Sequence, residues 1–289
     1  MRSGRIGTAS GLDRASDRRL IAVEVIDVRV SALLAVVLVG AVIGPAVSAG
    51  DVTVSFLGHS CYTVQAEGGP IVMIDPYGSY VPYPGLPAPA DIVLMTHRHI
   101  DHCPYCYGES DRVLGDPILV HLWDDAGRCR EKLPPAAWVI TPEFKTHAIE
   151  ASHVTRSGGG EGWVCLFSFE VDGIRFAHLS DLGQILTAKQ IGALSDVDVL
   201  FLPVGGSFTI DPAEAMTVIG QLPSVRIVLP MHYYVDGITP WPSMLPLEDF
   251  TSLARTTYGV REIENDHAAL STETLPGSLE VWVLKHKSE

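Results

Sequence analysis

The sequence predicts one α/β domain of about 240 residues behind an apolar leader. Three observations predict it. Short apolar runs of strand length alternate with turns marked by Gly, Pro and Asp from residue 52 onward, and a few helical patches carry N-terminal capping signals. No internal repeat or low-complexity linker divides the chain. With 47% hydrophobic and 19% charged residues among 289, the chain has ample material for a buried core, which excludes whole-chain disorder and a small disulfide-held scaffold.

Residues 1–49 read as the leader. Val30 to Ala49 carries no charge, Arg29 precedes it, Gly44-Pro45 breaks it, and Val47 and Ala49 sit at the −3 and −1 positions of a cleavage site before Gly50. This order predicts a signal peptide and export, to the periplasm or the medium, with no stable membrane contact once it is cleaved. An uncleaved membrane anchor is the alternative, because twenty uncharged residues can just span a bilayer. Glu24 and Asp27 make the region before the apolar run unusually long and mixed in charge, and a start at Val28 or Val30 would leave a conventional signal. Six Arg and four acids lie within residues 1–49, so of the chain's 20 basic and 34 acidic residues 14 and 30 remain, a net −16 from Gly50 on. Such a body is a poor partner for nucleic acid or anionic membrane and suits a small-molecule substrate.

Past the leader, Val52, Val54 and Phe56 alternate with smaller or polar residues, and Tyr62-Thr63-Val64 and Ile71-Val72-Met73-Ile74 follow around Glu67-Gly68-Gly69. That is an opening β-meander. The Pro-rich stretch from Tyr80 to Pro89 reads as a surface loop, and Ile92-Val93-Leu94-Met95 as a buried strand delivering residues to a site at its C-terminal end. Trp163 to Val171 and Ile174 to His178 flank Asp172-Gly173, a strong hairpin signal. Val197 to Leu202, Arg226 to Leu229 and Leu279 to Leu284 are further strands. Helices are expected over Thr187 to Leu194, from Asp211-Pro212 to about Leu222, and over Leu247 to Thr257; Asp211 is the cap and Pro212 the first helical residue.

The chemistry concentrates in His97-Arg98-His99-Ile100-Asp101-His102. Three of the chain's eleven His, beside an Asp and directly after a strand, form a metal-binding pattern rather than a chance His-rich loop. The donors suit Zn, with the harder Mn or Fe possible, at one or two adjacent sites.

Thr96 to His102 resembles the His-x-His-x-Asp-His signature of the metallo-β-lactamase superfamily. Phe56-Leu57-Gly58-His59-Ser60, Ile74-Asp75-Pro76, Ala151-Ser152-His153, Leu179-Ser180-Asp181-Leu182-Gly183, Leu202-Pro203-Val204-Gly205-Gly206 with Phe208-Thr209 and Asp211-Pro212, and Leu229-Pro230-Met231-His232-Tyr233 look like that superfamily in the right order. The opening Gly-His and the closing Pro-Met-His-Tyr are most similar to its lactonase-like and uncharacterised metal-dependent hydrolase branch. The resemblance implies an αββα four-layer sandwich, a single hydrolase domain over residues 50–289. It implies that His97, His99 and His153 bind a first metal, that Asp101, His102 and His232 bind a second, and that Asp181 bridges them. It places His59 and Asp75 behind the ligands, with a purely structural role for His59 as an equal alternative. His147 is a rival to His153. The chain departs from the pattern at Ser180 and Leu182, where the family usually has Gly and often Thr, which alters backbone approach and the hydrogen bonds around Asp181.

The implied reaction is attack on a carbonyl carbon or a phosphorus by hydroxide, available near neutrality because a metal lowers the pKa of water from about 15.7 to about 7. Asp101 would orient the hydroxide and handle its proton, and Tyr233 would donate to the oxyanion. A small ester, lactone or amide is the first expectation, a small phosphodiester the alternative, and a non-catalytic metal-binding protein the third reading. Cys103-Pro104-Tyr105-Cys106 has dithiol spacing; export predicts a structural disulfide within it or to Cys61, Cys129 or Cys165, and five Cys leave one over.

Overall fold

The computed structural model describes residues 51–131, 137–154 and 161–286, so the leader expected over residues 1–49 lies outside the described residues. Among these residues no helix is long and apolar enough to cross a membrane. Alternation builds the first strand: β1 (Val52–Gly58) buries Val52, Val54 and Phe56 and leaves Thr53 and Ser55 half-buried. It pairs antiparallel with β2 (Cys61–Ala66), which pairs antiparallel with β3 (Val72–Ile74), and so the meander forms. The chain passes β4 (Ala88–Pro89) to β5 (Ile92–Met95), four consecutive buried residues parallel to β3. A short β6 (Val113–Leu114) pairs with β4, and β7 (Ile118–His121) lies parallel to β5.

The second half begins with β8 (Trp138–Val139), β9 (Lys145–Val154), β10 (Glu161–Val171) and β11 (Ile174–His178), all antiparallel neighbours. Asp172 and Gly173 turn the β10–β11 hairpin with φ of 46° and 78°, the two positive values that a tight two-residue turn needs. Strands and helices then alternate through α1 (Ala188–Ala193), β12 (Val199–Pro203), α2 (Pro212–Gln221), β13 (Ile227–Met231), α3 (Leu247–Ala254) and β14 (Gly259–Ile263). The chain ends in β15 (His267–Leu270) and β16 (Glu280–Leu284). Capping boxes start α1 and α2: Thr187 accepts from the Gln190 amide and Asp211 from the Glu214 amide, with Pro212 at the first helical position.

Two sheets result. One runs β15-β1-β2-β3-β5-β7 and the other β14-β16-β13-β12-β11-β10-β9-β8. They meet through Tyr62, whose ring lies 4.6 Å from Phe201 and whose hydroxyl donates to the Pro230 carbonyl at 3.0 Å. Phe167, Phe176 and Phe201 fill the second sheet's side of this core, each fully buried, and each such ring contributes roughly 1.5–3 kcal/mol. This is the expected α/β sandwich, but its helical layers are unequal. Among the described residues all three α-helices follow residue 187, and the first sheet's crossovers carry only 3-10 turns at Pro104–Tyr107 and Ser110–Arg112. Pro82, Pro84, Pro87 and Pro89 remove the donors a helix between β3 and β5 would need. Disulfides join Cys103 to Cys106 and Cys129 to Cys165, leaving Cys61 as a buried thiol.

One glycine ties fold to site. A Cβ on Gly205 would stand 2.1 Å from the backbone oxygen of His232, whereas one on Gly220 in α2 would meet nothing within 4 Å. Gly205→Ala is therefore expected to cost about 1–3 kcal/mol in urea unfolding, because backbone must move, while Gly220→Ala should be neutral or stabilising by up to about 1 kcal/mol.

Candidate metal centre

Strand ends deliver the functional side chains. His59 follows β1, Asp75 follows β3, Thr96 to His102 follow β5, His153 stands near the end of β9, and Asp181 and His232 follow β11 and β13. His59, Asp75, Ser180 and His232 all have positive φ, at 55°, 48°, 51° and 53°. A left-handed residue directly after a strand turns the chain sharply, and for a non-glycine residue it costs of order 1 kcal/mol or more.

The side chains form two buried clusters, His97, His99, His153 and Asp181 in one and His59, Asp101, His102 and His232 in the other, with ligand atoms in each within 4.8 Å of one another. Asp181 faces both. Its Oδ2 lies 3.7 Å from His97 Nε2 and 3.5 Å from His153 Nε2, and its Oδ1 lies 3.2 Å from His102 Nε2 and 3.4 Å from His232 Nε2. Asp101 Oδ2 accepts from His59 Nε2 at 3.1 Å and stands 3.5 Å from His102 Nε2. Only His99 of the set is exposed.

Behind the ligands a hydrogen-bonded chain fixes tautomers. The Thr96 hydroxyl gives its one proton to Asp75 Oδ2 at 2.7 Å, so it accepts from Ser180 Oγ at 2.7 Å and from His97 Nδ1 at 3.0 Å. That puts the His97 proton on Nδ1 and turns the Nε2 lone pair to the centre. Asp75 Oδ2 likewise accepts from His102 Nδ1 at 2.8 Å, leaving His102 Nε2 free. His178 is wholly buried and outside both clusters: its Nδ1 accepts from the Ser180 amide and its Nε2 donates to the Ser60 carbonyl.

The electrostatics call for a cation. Burial alone would lower the His102 pKa, yet the carboxylates of Asp181, Asp101 and Asp75 hold it well above 6.5. Burial pushes Asp101 and Asp181 up, and the facing His102, with His59 or His232, overrides it and keeps both well below the carboxylate range. His102 Nε2 and Asp181 Oδ1 are buried without a hydrogen-bond partner, the condition that a metal ion relieves. The donor set of imidazoles and carboxylates fits Zn or the harder Mn and Fe.

Two expected residues stand elsewhere. The Tyr233 ring does not line the cleft: it is buried, with its centroid 6.2 Å from that of Phe56. The oxyanion-donor role expected of Tyr233 is therefore not carried forward. His147 lies on β9 outside both clusters and lines a separate cavity of about 850 Å³ with Lys145 and Glu170. Sequence reasoning missed Thr96 as the hub of the tautomer-fixing chain, and Tyr107, Phe208 and Trp241, which line the cleft of about 260 Å³ over the centre. Phe208 stood within the resemblance but was given no role, and the only signal of Tyr107 and Trp241 was an aromatic residue placed in a loop.

Residues 53–232 match the family model of the β-lactamase superfamily domain. The chain belongs to the metallo-β-lactamase superfamily. Its relatives in that superfamily include a UPF0173 metal-dependent hydrolase of Methanospirillum hungatei, 28% identical over 185 residues that cover 62% of this chain and 82% of the relative. Another, from Korarchaeum cryptofilum, is 32% identical over 196 residues, covering 63% and 83%. A Thermotoga maritima structure, assigned as a Zn-dependent hydrolase of the superfamily, matches with a TM-score of 0.60 at 27% identity over 82% of this chain and 100% of that one. This metallo-β-lactamase superfamily member is accordingly a metal-dependent hydrolase.

Asp75→Ala would release both Thr96 and His102 and is expected to weaken metal binding about 10–100-fold in calorimetric titration. The metal-free protein should also lose stability in acid. Burial lowers the pKa values of His97, His153 and His178, and that of His59 from 6.5 to about 4. Below 6.5 the unfolded chain thus binds more protons at these four rings than the folded one. His102 acts in the opposite sense, its contribution being complete below 6.5 and lost as pH rises through its raised value. With these four rings and the partly buried His121, also lowered, against His102 alone, the Tm of chelator-treated protein should fall between pH 6.5 and 4; a flat Tm would contradict neutral buried imidazoles.

Proposed function

We propose that the protein is an exported hydrolase of a small ester, lactone or amide, with Zn at a two-metal site. The observation that carries this reading is Asp181, one carboxylate oxygen toward each His cluster. His97, His99 and His153 would hold one ion and Asp101, His102 and His232 the other, with Asp181 shared between them. Bound there, a divalent ion supplies Lewis acidity and brings water ionisation toward neutral pH. Imidazole-rich donors support Zn over Mn or Fe, and the Thermotoga maritima neighbour is assigned as Zn-dependent.

The chain's own groups do the rest. Asp101 is ionised at neutral pH, so it acts as an acceptor for a proton, and His59, donating to Oδ2, fixes the carboxylate's orientation. Asp75, directly to His102 and through Thr96 to His97, engages the Nδ1 of each ring, so that both rings turn Nε2 toward the centre. Among the described residues no Lys or Arg lines the cleft, which favours a neutral carbonyl substrate over a phosphodiester. The net −16 body supports a small molecule rather than nucleic acid as the substrate, and the uncharged run Val30 to Ala49 supports export.

Mass spectrometry of protein purified without added metal should find about two Zn per chain, falling in Asp181→Ala. Ester, lactone and amide hydrolysis should disappear with chelator and return with Zn. Protein without metal even after reconstitution, or faster turnover of phosphodiesters than of esters, would overturn the reading. Export predicts a mature N-terminus at Gly50 in the extracytoplasmic fraction.

A further inference from the structure

We infer that this cleft selects substrates by an uncharged, apolar group lying on a wall of aromatic rings, with Trp241 as the specificity-determining residue. The inference rests on the hydrolase reading above and deepens it. The polar lining of the cleft consists of residues of the two clusters: His99, Asp101, His153, Asp181 and His232. The remaining lining is Ile100, Tyr107, Phe208 and Trp241. One part of the lining is thus for the reacting group, and the rest offers nothing charged and only a phenol and an indole N–H that are polar.

The rings come from separate connections. Tyr107 ends the 3-10 turn after the His-rich loop, Phe208 follows β12, and Trp241 follows β13. Trp241 is their hub. Its centroid lies 6.1 Å from Phe208, 5.4 Å from His59 and 5.8 Å from Tyr80, which comes from the loop after β3. Tyr107 and Tyr80 are 54% and 55% exposed. Large rings left open beside a polar centre mark a surface that a ligand covers.

Charge decides what kind of ligand. Arg98, the one cation inside the His-rich motif, points toward Asp125 and the Asp124 carbonyl and does not line the cleft. A carboxylate or phosphate tail would find no partner on the aromatic side and would sit in a strongly acidic body. Size sets a limit as well: about 260 Å³ is below the roughly 300–1,000 Å³ of pockets for drug-sized ligands, so the apolar group is short.

The test uses the full-length, Zn-loaded protein and p-nitrophenyl acetate, butanoate and hexanoate. Each added methylene that reaches the wall should raise kcat/KM about threefold to fourfold, so hexanoate should exceed acetate by well over tenfold. In Trp241→Ala that ratio should collapse to a few-fold, and Trp241→Phe should restore most of it. Metal content should remain that of the wild type in both variants, which separates loss of the wall from loss of the centre. Calorimetric titration with 2-heptanone, a ketone with no leaving group, provides a readout without turnover, with affinity falling about tenfold in Trp241→Ala. A hexanoate-to-acetate ratio equal in wild type and Trp241→Ala would overturn the inference while leaving the hydrolase reading intact. So would preference for a choline ester or for a monoester of a dicarboxylic acid. Hydrolysis of no ester by Zn-loaded protein would sink the ester reading; the 2-heptanone titration then still decides whether the wall binds apolar groups.

Discussion

Asp75 is completely buried, and it accepts hydrogen bonds from the Thr96 amide, the Thr96 hydroxyl and His102 Nδ1 at 2.8, 2.7 and 2.8 Å. A carboxylate taken out of water costs several kcal/mol unless its oxygens are matched, and here the matching groups all lie on the loop that follows the neighbouring parallel strand. The carboxylate at the end of β3 thereby fixes the loop at the end of β5. From that loop the order spreads outward, since a Thr96 oxygen that has given up its proton orients His97, and an engaged His102 Nδ1 exposes Nε2 to the centre. Two candidate ligands on one loop are aimed by a residue that belongs to neither cluster.

The sheet topology supplies the other ligands. In the second sheet β11, β12 and β13 run parallel, so their C-terminal ends open on one edge, and Asp181 and His232 emerge there from β11 and β13. Each is reached through a left-handed residue, Ser180 before Asp181 and His232 itself. Such backbone persists only where packing over-determines it. At Ser180 three bonds do so: its amide is held by His178, its hydroxyl by Thr96, and the Leu182 amide by the Leu179 carbonyl. At His232 the amide donates to the His59 carbonyl, and Gly205 lets the backbone of the β12 loop pass close by. The strain is local, and at each position one of the hydrogen bonds that offset it crosses between the two sheets, Ser180 to Thr96 and His232 to His59.

The His-rich motif was readable because its four donors are contiguous and follow a run of four apolar residues that became β5. The hairpin at Asp172-Gly173 and the helix after Asp211-Pro212 were readable because turn and cap chemistry is local. His153, Asp181 and His232 carry no such local signal; 51, 28 and 51 residues separate the successive donors from His102 onward, and only the resemblance pointed to them. The missing strands have the same explanation. β14 and β15 are mostly exposed or half-buried, so they lack the apolar alternation that marks a strand, and β15 joins the first sheet from the far end of the chain. Tyr233 misled because adjacency to His232 in sequence does not bring its ring into the cleft; the ring packs near Phe56 instead.

Ser180 shows how a departure from a family pattern can be absorbed. A glycine at that φ of 51° would meet the backbone demand without strain but would leave the Thr96 oxygen one donor short. Serine accepts the strained backbone and fills that place, joining β11 to the same Thr96 that Asp75 and His97 use. The added bond lies entirely inside the protein, since Ser180, Thr96 and Asp75 are all at 0% exposure, where an unmatched hydroxyl costs about 1–3 kcal/mol. Serine at this position is therefore compatible with a fully formed centre because Thr96 has one acceptor site to spare, and the two residues are expected to change together rather than singly.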